Sequence, residues 1–163
     1  FMMKILVDYP SDEEEFVIVQ RVTGPAVAVS AVATTDQLAA LQRACRQVYV
    51  DPSLIQYAVR LVSATRTPEK HDLKELTRFI TYGASPRATI NLTEGSRALA
   101  MLRGRSYVLP EDMTDLVPDV LRHRLVLSYE ALSEGLSADA VIAKIIAKIP
   151  APTKPLEHEK LAA

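Results

Sequence analysis

Tyr82-Gly-Ala-Ser-Pro-Arg-Ala88 is the stretch on which the reading of this chain turns. A glycine after an aromatic residue ends one element. Ser85 then has the side chain of an N-cap, and Pro86 has the fixed φ that suits the first position of a helix. The helix so started is expected to reach Gly104, a residue suited to a left-handed C-cap, with Ala88, Leu92, Leu99 and Leu102 along its inward stripe. Arg87 falls at the second helical position. The free amides of a first turn attract anions, and a guanidinium beside them grips phosphate oxygens with a planar fork. An exposed arginine on an ordinary helix is the plainer reading of the same residue.

Working outward, the downstream pattern is helical. Pro110-Glu-Asp112 starts a short helix, and Val117 to Leu127 has room for another. Ser137 caps a last helix with Val141, Ile142, Ile145, Ile146 and Ile149 on one stripe, and Pro150 and Pro152 end it. Upstream, Leu73, Leu76, Phe79 and Ile80 have helical spacing, which leaves open a helix or an irregular approach to Gly83, and Arg66 to Asp72 reads as a polar surface loop. Asp51-Pro52 opens a helix to about Thr65 with Leu54, Ala58, Leu61 and Val62 facing inward, after a short extended Val48-Tyr-Val50. Thr35 is the expected N-cap of a helix from Asp36 to about Gln47, whose stripe is Leu38, Leu41 and Cys45. Ala26 to Ala33 reads as an extended connector. Ser11-Asp-Glu-Glu14 has capping-box spacing for a helix to about Arg21. The apolar run Phe1 to Val7 reads as a buried strand, stopped by Asp8-Tyr-Pro10.

Composition narrows the function. The chain has 163 residues, 19 basic and 20 acidic side chains, and a net charge of −1. Apolar residues make up 48%, with a mean hydropathy of +0.08, enough for one modest core. The near-neutral balance argues against a dedicated nucleic-acid binder or a polybasic membrane-surface protein. No apolar run approaches the roughly 18 residues of a membrane span. The single Cys45 forms no internal disulfide and reads as a small core residue, with a reducing cytosol as the default compartment. There is no Walker A loop, dinucleotide-binding glycine motif, H-E-x-x-H or nucleophile elbow, and His71, His123 and His158 have no ligand spacing. His123, between Arg122 and Arg124, reads as a surface or interdomain contact. Arg97, Arg103 and Arg105 form a local basic cluster that suits solvated helix positions, a neighbouring subunit or nucleic acid. Glu111 and Asp112 read as first-turn acids, and Glu13 to Glu15 need no metal.

Several motifs, in order, carry a resemblance. Gly83-Ala-Ser-Pro-Arg-Ala88 resembles the lid motif of MoxR-type AAA+ ATPases, and Gly104-Arg-Ser-Tyr-Val-Leu-Pro-Glu-Asp112 is similar to that family's Gly-Arg-x-Tyr-Val-x-Pro-Glu-Asp. Val120-Leu-Arg-His-Arg124 is similar to its Val-Leu-x-His-Arg. The Val48-Tyr-Val-Asp51 helix entry fits as well, and Phe1 to Pro10 is similar to the last strand of its nucleotide-binding core. The resemblance covers about residues 1 to 150. It implies a mainly α fold: a small helical bundle of AAA+ lid type, with a short strand-helix remnant of the α/β core. The implied division is 1–22 core remnant, 23–35 connector, 36–150 lid and 151–163 tail, whose last residues read as a vector-derived linker.

For Arg87 the resemblance implies the sensor 2 role, reaching the γ-phosphate of ATP bound with Mg²⁺ in the parent protein. It also implies an AAA+ core in the same chain, neighbouring subunits of a cytoplasmic ring, chaperone-like work on partner proteins, and partners with a von Willebrand factor A domain. Neither nucleic acid nor membrane insertion is expected. Walker A, Walker B, sensor 1 and the arginine finger would lie upstream, so this chain alone is not expected to hydrolyse ATP. Two rivals remain at this level: a stand-alone helical module whose arginines recruit an acidic or phosphorylated partner, and a nucleic-acid binder using the Ser-Pro-capped helix.

Overall fold

The computed structural model describes residues 1–153, so the expected vector-like end of the tail lies outside the described residues. Helices form where the sequence supplies caps. Helix α1 (Asp12–Thr23) closes a full capping box, with Ser11 Oγ accepting from the Glu14 amide at 3.3 Å and Glu14 Oε2 from the Ser11 amide at 2.9 Å. Helix α2 (Thr35–Cys45) starts one residue before the expected position, because Thr34 rather than Thr35 caps it and pairs with Gln37. Helix α3 (Pro52–Arg66) begins on Asp51, whose Oδ1 accepts from the Ser53 amide at 2.8 Å.

Helix α4 (Pro86–Leu102) ends at Gly104, which takes φ +75° while the Arg105 amide donates back to the Ala100 carbonyl at 2.9 Å. Then come α5 (Pro110–Leu121), α6 (Tyr129–Ser133) and α7 (Ala138–Lys148). Strands β1 (Ile80–Tyr82) and β2 (Val126–Leu127) make a small antiparallel pair. Tyr49 runs beside Tyr107 as a single parallel bridge, held by Tyr49 N–H to Ser106 O at 2.9 Å and Val108 N–H to Tyr49 O at 2.9 Å.

The fold is therefore mainly α, a helical bundle, as the sequence leads one to expect. Its core lies between α3, α4, α5 and α7, where Leu54, Leu61, Leu92, Met113, Leu121, Ile142 and Ile145 are fully buried. The inward face of α4 differs from the expected stripe. Ala88 and Leu92 are buried, but they continue into Gly95, Ser96 and Ala100, while Leu102 is exposed. Small residues there let α5 approach closely: a Cβ on Gly95 would lie 3.1 Å from Leu116 Cδ1.

Other expectations need correction. Residues 1–7 are not an assigned strand, since no β-partner for them occurs among the described residues and a ladder needs two strands. The Leu38 and Leu41 stripe of α2 is exposed and Cys45 is only half-buried, because α2 lies at the margin of the bundle. The polar segment before Leu73 is no plain loop: Pro68–His71 is a 3₁₀ turn with Pro68 buried. Leu73 to Ile80 is not a helix either. A second 3₁₀ turn, Lys74–Leu76, and then β1 occupy it, with Leu73, Leu76 and Phe79 all buried. The helix begun at Pro110 continues through Pro118 instead of giving way to a second one, since Val117, Val120 and Leu121 are fully buried. That packing outweighs the one backbone hydrogen bond proline removes. Among the described residues no helix is long and apolar enough to cross a membrane.

Candidate functional site

The start of α4 is built from α3. Thr65, buried at the end of α3, gives its hydroxyl proton to the Val62 carbonyl at 2.7 Å and accepts from the Ala84 amide at 2.9 Å. Arg66 Nη1 donates to the Ala84 carbonyl at 2.7 Å. Gly83 lies so close to this corner that a Cβ there would sit 2.2 Å from the Thr65 carbonyl oxygen. The glycine therefore serves a close backbone approach. Ala84 is buried, and the chain leaves it in a fixed direction for the first turn of the helix.

That first turn is electropositive. Ser85 takes the extended N-cap conformation, φ −75° and ψ 167°, yet its side chain makes no capping hydrogen bond. The first turn contains no acidic residue, whereas α1, α2, α5 and α7 each carry one or more there. Arg87 is exposed, and among the described residues it makes no hydrogen bond and no ion pair with a carboxylate. A fixed, acid-free helix end with a free guanidinium on it can receive an anionic oxygen.

Beside it runs the N-terminal segment. Asn91, one turn along α4 from Arg87, donates to the Met2 carbonyl at 3.4 Å. Arg124 Nη2 donates to the carbonyls of Phe1 and of Met2, the latter at 3.3 Å, and Arg122 Nη1 donates to the Lys4 carbonyl at 2.7 Å. The Lys4 amide donates to the Asp119 carbonyl at 2.8 Å. Residues 1–4 are thus stapled along α4 and α5 through their main chain, with Met3 partly buried against the core. Sequence reading missed this staple. Its only trace there is the spacing of Arg122 and Arg124, which a lone motif cannot connect to residues more than a hundred positions away.

The other candidates fall elsewhere. Both ring nitrogens of His123 are buried, beside the main chain of Phe1 and Asp119. Burial first, then the neighbouring Arg124 charge, pushes its pKa below the ordinary value. Arg103 and Arg105 are spent on their own acids. Arg105 binds both oxygens of Asp112, at 2.7 Å and 2.5 Å; Arg103 reaches Asp112 at 2.8 Å and Asp115 at 2.7 Å. Arg97 pairs with Glu94 at 2.8 Å. This basic cluster is therefore largely neutralised within the chain. Asp112, expected as a simple first-turn acid, also accepts from the Leu109 amide at 2.8 Å and is fully buried as the shared counter-ion. Among the described residues no group of three or more His, Cys, Asp or Glu side chains is placed to hold a metal ion.

Residues 73–145 match the family model of the AAA lid domain. The chain is 40% identical over 152 residues to a Mycobacterium tuberculosis protein named Chaperone MoxR1, covering 93% of this chain and 40% of that protein. It is 36% identical over 110 residues to the Paracoccus denitrificans Protein MoxR, covering 64% of this chain and 32% of that one. A crystal structure of a candidate ATPase from Cytophaga hutchinsonii superimposes with a TM-score of 0.89 at 36% identity, over 93% of this chain and 47% of that one. The chain thus spans less than half the length of each of these relatives.

Proposed function

Since the chain is a lid region of the MoxR family of AAA+ ATPases, we propose that it supplies Arg87 as the sensor 2 residue of a parent ATPase. The observation that carries this reading is the exposed, unpaired guanidinium on a first turn free of acids. Arg87 would donate to oxygens of the ATP γ-phosphate and stabilise the charge that spreads over them during transfer. The Thr65, Gly83 and Arg66 contacts fix where the helix begins, so the side chain moves while its base does not. Phosphate occupancy would in this way bias the angle between lid and core.

In this proposal residues 1–22 belong to the core, 23–35 connect, and 36–150 form the lid. ATP and Mg²⁺ are held mainly by the core, and neighbouring subunits of a ring feel the lid angle. Chaperone-like remodelling in the cytoplasm, with von Willebrand factor A domain proteins among the partners, belongs to the same proposal. The name Chaperone MoxR1 borne by one relative supports it. In the full-length parent, Arg87→Ala is expected to lower steady-state ATP turnover at least about tenfold while nucleotide binding stays measurable. Unchanged turnover refutes the sensor role.

A further inference from the structure

Arg124 lies in the turn after α5, and its guanidinium is only partly used. Nε donates to the Val120 carbonyl at 2.8 Å, and Nη2 is engaged with the carbonyls of Phe1 and Met2. Nη1 makes no hydrogen bond among the described residues. Asn91 shares the Met2 carbonyl with Arg124, and Asn91 follows Arg87 by four residues on the same face of α4. The Met2 carbonyl therefore bridges the face that carries Arg87 and Arg124 Nη2, which leaves the neighbouring Nη1 unspent. The two side chains also sense each other: after burial, the Arg87 charge is the second cause lowering the Arg124 pKa.

No acid relieves this pair. Arg78, Arg97, Arg103, Arg105 and Arg122 each have a carboxylate partner, while neither Arg87 nor Arg124 forms an ion pair among the described residues. Two cations near enough to repel each other without a counter-charge favour an anion, and a dianionic group between them offsets that repulsion. Planar forks from two directions suit the oxygens of a phosphoryl group.

We propose that Arg124 is a second phosphate-binding residue, which closes with Arg87 on the terminal phosphoryl group of a nucleoside triphosphate. This rests on the sensor reading of Arg87. The two arginines differ in kind. Arg124 is anchored through Nε and Nη2 and presents Nη1 from a fixed place, whereas Arg87 is exposed and unanchored among the described residues. Because Arg124 also holds the carbonyls of residues 1 and 2, phosphate arrival tightens α4 against the N-terminal segment.

The test compares Arg124→Ala, Arg124→Lys, Arg122→Ala and Arg87→Ala in the full-length parent, measuring kcat and KM for ATP beside thermal unfolding. Arg122→Ala is the control for the staple, since it frees the Lys4 carbonyl while its own charge already belongs to Asp119 and Asp139. Arg124→Ala is expected to lower kcat/KM at least about tenfold, Arg124→Lys to recover part of the loss, and Arg122→Ala to keep turnover within about twofold. If Arg124→Ala does not fold, a wild-type kcat/KM in Arg124→Lys overturns the proposal, since lysine lacks the fork. Equal losses in Arg122→Ala and Arg124→Ala overturn it in favour of a staple alone. Full turnover in Arg124→Ala beside a loss in Arg87→Ala overturns the pair but not the sensor. Full turnover in Arg87→Ala overturns both.

Discussion

At the scale of single residues, Asp112 stands apart as the one charged residue that is fully buried among the described residues. Burial alone would raise its pKa, but hydrogen bonds from Arg105, the Leu109 amide and Arg103 outweigh it and hold the carboxyl below its ordinary value. The sign follows. Below about pH 4 the unfolded chain takes up a proton that the folded site resists, so this stabilisation is complete above that pH and is lost as the pH falls through the folded value. Asp112→Ala is expected to destabilise the chain by about 3 kcal/mol at pH 7, because two arginines lose their shared counter-charge. Urea unfolding checks this, and a cost within about 1 kcal/mol of zero would remove Asp112 from this role. The same titration at pH 3 should show the variant and the native chain closer together.

At the scale of elements, the two glycines flanking α4's contacts make opposite predictions. Gly83→Ala drives a Cβ into main-chain atoms, 2.2 Å from the Thr65 oxygen and 2.7 Å from the Arg66 nitrogen. It should cost about 1–3 kcal/mol and displace the first turn that bears Arg87. Gly95→Ala meets only flexible side-chain ends, Leu116 Cδ1 at 3.1 Å and Met3 Cε at 3.9 Å, and the gain in helix propensity of up to about 1 kcal/mol offsets this. Thermal unfolding of the two variants should separate them; equal destabilisation would contradict the packing described at α4. These elements also show what sequence could reveal. Caps at Ser11, Asp51 and Ser137 act within a few residues and were legible, as was the place where α4 starts at Pro86. The path from Arg66 to Tyr82 was not, because Leu73, Leu76 and Phe79 are buried from 3₁₀ turns whose spacing imitates a helix. Nor was the pairing of Arg103 and Arg105 with Asp112, since nearby charges read equally well as solvated.

At the scale of the whole molecule, stability and exposure are unevenly divided. All fully buried large side chains lie from Leu54 onward, while α1 and α2 bury none of their residues. Phe16, Val17, Ile18, Val19 and Val22 are exposed around α1, apolar surface on more than one side of the helix that suits burial by the proposed AAA+ core. A chain starting at Arg46 should therefore retain cooperative unfolding, with a Tm lowered by less than about 5 °C, and hydrogen exchange in α1 should be far faster than in α3 or α4. Loss of the cooperative transition would show that the N-terminal third is part of the folding unit. The staple on residues 1–4 has a consequence of its own. Arg122, Arg124 and Asn91 grip carbonyl oxygens, and every amino acid has one, so side-chain identity at positions 1, 2 and 4 is left open by these bonds. A mutational scan should find those positions permissive, with proline at 4 excluded because its nitrogen could no longer donate to Asp119.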